Sequence, residues 1–415
     1  MNSLQLISSK KELLSVFIFV TLIFLFNIIH EYFKYKDFTD EEVFSGNFQV
    51  VNIYDKNDYY VVKLKNENVA FFTSINKEQS LKKLEYLNIA IITVKVDFIS
   101  YLKGFYAKSI YYDILPSKNY FKKSLFNKIN EQHEEPRLKQ LFSALFLAIP
   151  ISKEYREIYT NFGISHLIAI SGFHLGILSA LVYWFIYFPY SYVHQRYLPF
   201  RNKKFDILVV TLLILLFYVI LTDIVPSLLR AFVMFFIGIY FLRSNIKILS
   251  FQTLLITLLV IVSLYPKYLF SISLWFSMFG VFYIFLYLQY FKDLPKLFSF
   301  FLFNFWIFFV FNPIVHFFFL NTSYEQLISP FITVIFTIFY PLELFLHFIG
   351  YESLLDEYLL QFLDYKMSIY DVSTPLYFFI LYVLTSLYAI FNKTAFIILN
   401  ILLVIFNIYL YYGFR

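Results

Sequence analysis

The 415-residue chain contains no cysteine, and charged residues make up only 15% of it. The first absence removes disulfides, thiolate metal sites and cysteine nucleophiles together, and it suits either side of a bacterial inner membrane. The second, beside 60% hydrophobic residues, stands far from the roughly 45–50% apolar and about 25% charged of soluble domains. No soluble core uses that much hydrocarbon. Aromatics are plentiful, with 57 Phe and 37 Tyr, but Phe, Ile, Leu, Asn and Lys are also what an AT-rich genome encodes, so abundance alone assigns no function.

The apolar residues fall in runs. Lys10 and Lys11 precede one from Leu13 to Ile29, which no small-x-small cleavage site follows, so residues 1–30 read as an uncleaved N-terminal membrane anchor. Residues 31–137 carry nearly equal numbers of acids and bases and no stretch long enough to cross a bilayer; they read as a soluble domain. Within them Val43 to Tyr54, Asp58 to Lys65, Asn68 to Ser74, Ile89 to Phe98 and Tyr106 to Ile114 alternate or are β-branched, as short strands require. Lys77 to Leu87, with Leu81, Leu84 and Leu87 three residues apart and no Gly or Pro, predicts a short helix after the third strand. Five strands with a helix in that position is the order of a small OB-like β-barrel.

Residues 138–415 form the polytopic domain. Apolar runs at 162–188, 205–221, 224–242, 250–264, 269–290, 297–320, 327–349, 375–391 and 395–411, with the anchor, predict a mainly α protein of about ten transmembrane helices. Basic loops mark the cytoplasmic side. Arg196, Arg201, Lys203 and Lys204 mark one such loop, Arg243 and Lys247 a second, Lys292 and Lys296 a third, and parity then places the 31–137 domain outside. Past Leu320 the acidic stretch 350–374 leaves open whether 327–349 crosses or is re-entrant.

Polar groups inside such runs need a partner or a wet cavity, so they mark functional positions. His166, Ser171 and His174 lie in the first run after the soluble domain; on one helix His166, Ile170, His174 and Ile177 would form a stripe, with Gly163, Gly172 and Gly176 as thin spots. Asp223, Ser227 and Arg230 would line one face of the next helix but one. Arg230 recognises phosphate bidentately and stays charged, though pairing with Asp223 is the alternative. Ser273 and Ser277 sit one turn apart around Trp275, in a pattern that helix packing also produces. Asn312, Pro313 and His316, and the i,i+4 pair Glu343 and His347, are weaker signals. Outside the membrane Lys103, Tyr106, Lys108, Tyr111, Lys118, Lys122 and Lys123 interleave cations with rings, as surfaces for single-stranded nucleic acid do; a basic face near anionic headgroups is the alternative.

Three of these patterns together resemble the ComEC-type competence proteins. His-Leu-Ile-Ala-Ile-Ser-Gly-Phe-His at 166–174 is similar to that family's His-Leu-Leu-Ala-Ile-Ser-Gly-Leu-His signature. Pro226-Ser227 with Arg230-Ala231 resembles its Pro-Ser-x-x-Arg-Ala motif, and 270–278 its serine-bearing span. Two positions depart: Tyr265 stands where an acid usually precedes the proline, and Trp275 where a glutamine is usual. The family's metallo-β-lactamase-like domain would bring a His-x-Asp-x-Asp-His run. The histidines here, at 30, 133, 166, 174, 194, 316 and 347, are never two apart, so the form lacking that domain is expected, with no metal, no cofactor and no enzymatic activity.

The resemblance implies a multi-pass inner-membrane channel passing single-stranded transforming DNA into the cytoplasm, with residues 31–137 as a periplasmic domain. No Gly-rich Walker loop occurs, so the implied partners beside the DNA and the bilayer are a periplasmic DNA receptor, a cytoplasmic ATPase or helicase motor and a separate nuclease. Two other classes stay open: an intramembrane hydrolase with Ser171 as nucleophile and a histidine base, and a small-molecule transporter.

Overall fold

The computed structural model describes residues 10–66, 68–77, 81–116, 120–241 and 250–412. Lys118 and the basic loop with Arg243 and Lys247 lie outside the described residues. The chain divides into two compact units, one of residues 1–153, 172–248 and 255–275, the other of 154–171, 249–254 and 276–415.

The first unit opens with α1 (Lys10–Thr39), whose 30 residues run roughly 45 Å at 1.5 Å per residue, beyond the roughly 30 Å of a hydrocarbon core. The excess is used. Its last turns carry Tyr35 and Phe38 into the β-domain, where Phe38 is 4% exposed and packs its ring on Phe44, Tyr101 and Phe105, while Tyr35 Oη donates to Val96 O at 2.9 Å. Phe38→Ala is therefore expected to cost about 3–5 kcal/mol and to loosen the β-domain from its anchor, read as a lower melting temperature and new proteolysis between residues 40 and 115.

The strands are β1 (Val43–Asp55), β2 (Tyr59–Lys65), β3 (Ala70–Asn76) and β4 (Tyr86–Ile92), then α2 (Phe98–Lys103), β5 (Phe105–Tyr106) and β6 (Ser109–Ile114). Alternation aims Phe48, Val62, Leu64, Phe71, Leu87, Ile89 and Ile91 into one core. The six-stranded sheet has the order β5-β3-β2-β1-β4-β6, curled into a half-barrel. Its consecutive strands β5 and β6 bind opposite edges, β5 parallel to β3 and β6 antiparallel to β4. The helix expected over Lys77 to Leu87 is absent among the described residues. Residues 81–85 form a turn with Leu84 at φ 67°, its N–H donating to Val50 O and Glu85 O accepting from Val50 N, both at 2.8 Å. Leu84 and Leu87 are both buried, so their spacing serves a turn feeding a strand. The helix that does form, α2, follows the fourth strand; Asp97 caps it by accepting from Ser100 N, and Gly104 ends it at φ 93°.

Helices α3 (Phe121–Gln132) and α4 (Pro136–Leu147) follow the β-domain along the chain. The second unit begins with α5 (Lys153–Asn161) and α6 (Ser165–Ile168), and the first resumes with α7 (Gly172–Tyr197), α8 (Lys203–Leu221), α9 (Pro226–Phe241) and α10 (Phe251–Leu264). Lysines tie the β-domain and α3 to this helical part: Lys83 Nζ donates to Pro150 O at 2.5 Å, Lys103 stands 5.1 Å over the Phe270 ring, and Lys122 pairs with Asp223 at 2.5 Å. Burial pushes the Lys83 ammonium down to about 8. Asn27 of α1 donates to Ser263 O at 2.9 Å, a polar contact of the kind that joins helices in lipid.

The second unit continues with α11 (Ile272–Tyr290), α12 (Lys296–Phe318), β7 (Asn321–Ser323), α13 (Ser329–Ile349), α14 (Asp356–Leu363), β8 (Ile369–Asp371), α15 (Leu376–Tyr388) and α16 (Lys393–Tyr412). Amides and hydroxyls join its helices: Trp306 Nε1 donates to Asn400 Oδ1 at 2.8 Å, Asn312 Nδ2 to Asn407 Oδ1 at 2.7 Å, and Tyr283 meets Ser386 at 3.0 Å. β7 pairs antiparallel with β8, Asn321 opposite Asp371 and Ser323 opposite Ile369. Among the described residues seven helices are long and apolar enough to cross a membrane, and three more, over 226–239, 251–264 and 376–388, are apolar but shorter. This is a polytopic membrane protein; each of the ten expected apolar segments carries a helix among the described residues, not every segment is helical throughout, and not all the helices are long.

Candidate functional site

The 166–174 signature is not one helix. α6 ends at Ile168, Ala169 takes extended backbone, and α7 starts at Gly172, leaving Ser171 in the break. The stripe expected through His166, Ile170, His174 and Ile177 therefore does not form; irregular backbone at such depth persists where protein buries it. His166 Nδ1 lies 3.1 Å from Gly163 O and its Nε2 3.5 Å from Thr333 Oγ1, while His174 in the first turn of α7 is wholly buried. Of the three thin spots, Gly163 holds φ 69°, Gly176 faces open space, and Gly172 is a true close approach: a Cβ there would lie 2.6 Å from Arg230 Nη2 and 3.1 Å from Ala231 Cβ. Gly172 of one motif thus receives the Arg-Ala step of the other, joining α7 to α9.

The second motif also departs from a single helix. Asp223 and Ile224 both sit in the left-handed region, at φ 59° and 54°, and α9 begins only at Pro226, whose fixed φ and missing N–H suit a helix start. A β-branched residue with positive φ persists only where its surroundings over-determine it. Here Ile224 N donates to Val219 O at 3.0 Å and Ile224 O accepts from Tyr268 Oη at 2.8 Å. Asp223 leaves the face expected for it, and its carboxylate takes Lys122 of α3. Ser227 and Arg230 stay on α9, 7% and 6% exposed; Arg230 Nη1 points at Met234 Sδ, 3.3 Å away. Ser273 is exposed and Ser277 partly buried on α11, and the exposed Trp275 donates Nε1–H to Leu269 O at 2.8 Å.

On the β-domain the expected nucleic-acid residues separate. Tyr106 and Tyr111 are 56% and 60% exposed and Lys108 is exposed between them, whereas Lys122 is buried in its ion pair, Lys103 is engaged by Phe270 and Lys123 is half-buried on α3. The strand register reveals residues that sequence reasoning missed. Lys63 of β2 lies opposite Phe72 of β3, and Phe72 opposite Tyr106 of β5. Lys63 Nζ stands 5.6 Å over the Phe72 ring, the Tyr54 ring is 6.3 Å from Phe72, and Tyr106 Oη meets Ser74 Oγ at 2.9 Å. Burial and then neighbouring Lys65 hold the Lys63 ammonium below its usual range. Alternation marked this outer face; only pairing showed that its rings and cation are neighbours.

Apolar helices with a buried guanidinium at the contact of two motifs, and a half-barrel β-domain attached, define a multi-pass membrane protein. A family model described as Competence protein matches residues 150–412, and the chain belongs to that family, the ComEC-type competence proteins, whose role is in DNA uptake. All three signature motifs fall inside the matched stretch and the β-domain falls outside it. No curated protein and no solved structure matches the chain.

Proposed function

We propose that the chain is an inner-membrane channel that passes single-stranded DNA, with the β-domain as an OB-like receiving module outside and Arg230 as the phosphate contact on the path. One observation carries the reading: a guanidinium 6% exposed is held against Gly172, the first residue of a 26-residue helix. Helix N-termini present N–H groups and partial positive charge. Together with a guanidinium they favour an anion such as phosphate.

The OB-like reading rests on β5 and β6 joining opposite sheet edges, although the helix follows the fourth strand and not the third. Tyr54, Phe72 and Tyr106 with Lys63 supply stacking faces and a cation on that module, in the manner of sequence-tolerant single-strand binding. Lys108 and Tyr111 are exposed on the same module. The β7–β8 ladder further supports a re-entrant α13. The chain between the two strands starts and ends together, and the 8 residues of α14 are too few to recross about 30 Å. A separate motor and a separate nuclease would complete uptake.

The test supplies labelled duplex DNA to a deletion strain complemented with wild type or Arg230→Ala. Arg230→Ala at normal abundance is expected to lower cytosolic label at least tenfold while label still reaches the cell surface. Normal entry in the deletion strain removes the channel reading. Loss of the Arg230→Ala protein itself would mark Arg230 as structural.

A further inference from the structure

We propose that the turn joining α7 to α8 forms a binding site for an anionic glycerophospholipid. The turn is built, not slack. Arg201 donates from Nε and Nη2 to the two oxygens of Asp206, both at 2.8 Å. Tyr190 Oη donates to the same carboxylate at 2.5 Å, Asn202 Oδ1 accepts from Phe205 N at 3.2 Å, and His194 Nε2 lies 2.8 Å from Arg201 O. This lock holds Phe200 entirely in the open, with Tyr192 and Tyr197 each 66% exposed. A rigid turn that displays rings in this way fits the headgroup layer, where aromatic belts concentrate.

Beside it lies a surface cleft of about 340 Å³ lined by Leu198, Phe205, Val209 and Val210, with Tyr190, Arg201 and Asp206 at its polar end. The chemistry is that of a lipid: hydrocarbon along α8, a phosphate receptor at the rim. Of the five N–H donors of a guanidinium, the bonds to Asp206 use two, and the Arg201 side chain is 62% exposed. Asp206 is neutralised by Arg201, so Arg196 and Lys204, both exposed on the segments that flank the turn, and Lys203, 3.8 Å over the Tyr187 ring, leave the turn that borders the cleft cationic. A soluble protein would meet the rim alone. Val209 and Val210 sit about two turns down a membrane-spanning helix, roughly 10 Å from its start, where only a partner lying in the bilayer reaches them. The occupant is therefore phospholipid, and this holds whether or not DNA crosses the protein.

The full chain is reconstituted in nanodiscs of phosphatidylcholine with and without phosphatidylglycerol, and its melting temperature is compared with that of Arg196→Gln/Lys204→Gln, which spares the lock, and of Val209→Trp, which fills the cleft. Wild type is expected to melt several degrees higher with phosphatidylglycerol, as binding to the folded state requires, and both variants to lose at least half of that gain. Equal melting in the two lipids, or a full gain in both variants, overturns the proposal. Inorganic phosphate reproducing the gain in phosphatidylcholine reduces the site to a simple anion site and also overturns it. Wild type indifferent to phosphatidylglycerol while Arg196→Gln/Lys204→Gln impairs DNA uptake would assign the patch to a protein partner instead.

Discussion

Replacing Gly172 by alanine is expected to destabilise the folded protein by about 1–3 kcal/mol, the usual cost of overpacking, and to drive Arg230 from its seat. An exposed helical Gly→Ala change normally stabilises by roughly 0.5–1 kcal/mol, so the sign of the result is diagnostic. The new methyl would stand 2.6 Å from Arg230 Nη2 and 3.1 Å from Ala231 Cβ. A guanidinium tip can swing, but this one is 6% exposed, and leaving its seat exchanges a formed environment for another buried one. The Ala231 methyl cannot swing at all. Arg230→Ala in the Gly172→Ala background removes the shorter clash only, so the two changes should be non-additive by about 0.5–3 kcal/mol, as for residues in contact. Thermal melts of the four proteins in detergent measure this. A Gly172→Ala protein more stable than wild type would mean that the two motifs do not touch.

Asp223→Asn is expected to cost about 3 kcal/mol and Lys122→Met far less, although the two changes break one ion pair. The asymmetry follows from burial: the Lys122 side chain is 8% exposed and that of Asp223 51%. Removing the carboxylate strands an ammonium out of water, which for buried pairs costs about 3–5 kcal/mol. Removing the ammonium leaves a carboxylate that water still reaches. Asparagine is the right probe because residue 223 sits at φ 59°, a conformation that Asn tolerates nearly as well as Asp. Denaturation midpoints of the two variants decide it; equal losses would show the pair to be solvated. The same pair explains why Lys122, read from sequence as a DNA contact, is unavailable for that role.

How far the sequence could be read is clearest at these residues. The charge-rich character of 31–137 and the alternation along Val43 to Ile114 located the first three strands well, and the oily runs located the helices, because both signals are local and repeat every two or about 3.6 residues. The strand expected over Ile89 to Phe98 instead runs from Tyr86 to Ile92 with α2 starting at Phe98, and the one expected over Tyr106 to Ile114 is divided into β5 and β6, which pair with opposite edges. The same local signal misled where backbone was broken for a non-local reason. The run 162–188 is long and mostly apolar, but it holds a short helix, a break at 169–171 and a second helix, whose first residue, Gly172, admits Arg230 from α9. Leu81, Leu84 and Leu87 looked helical because three-residue spacing cannot tell a helix from a turn that ends in a strand; the bonds of residues 84 and 85 to Val50 decided it.

By itself the sequence determined that this is a multi-pass membrane protein with a charge-rich, β-forming stretch, and its three ordered motifs placed it among competence proteins, because apolar run length and motif chemistry are written residue by residue. Tertiary structure alone decided that Asp223 serves Lys122, that Gly172 is the bare floor beneath Arg230, and that Lys63, Phe72 and Tyr106 form one row. Each of these is a contact between segments distant in the chain, fixed by register and close approach, and no periodicity within a segment encodes it.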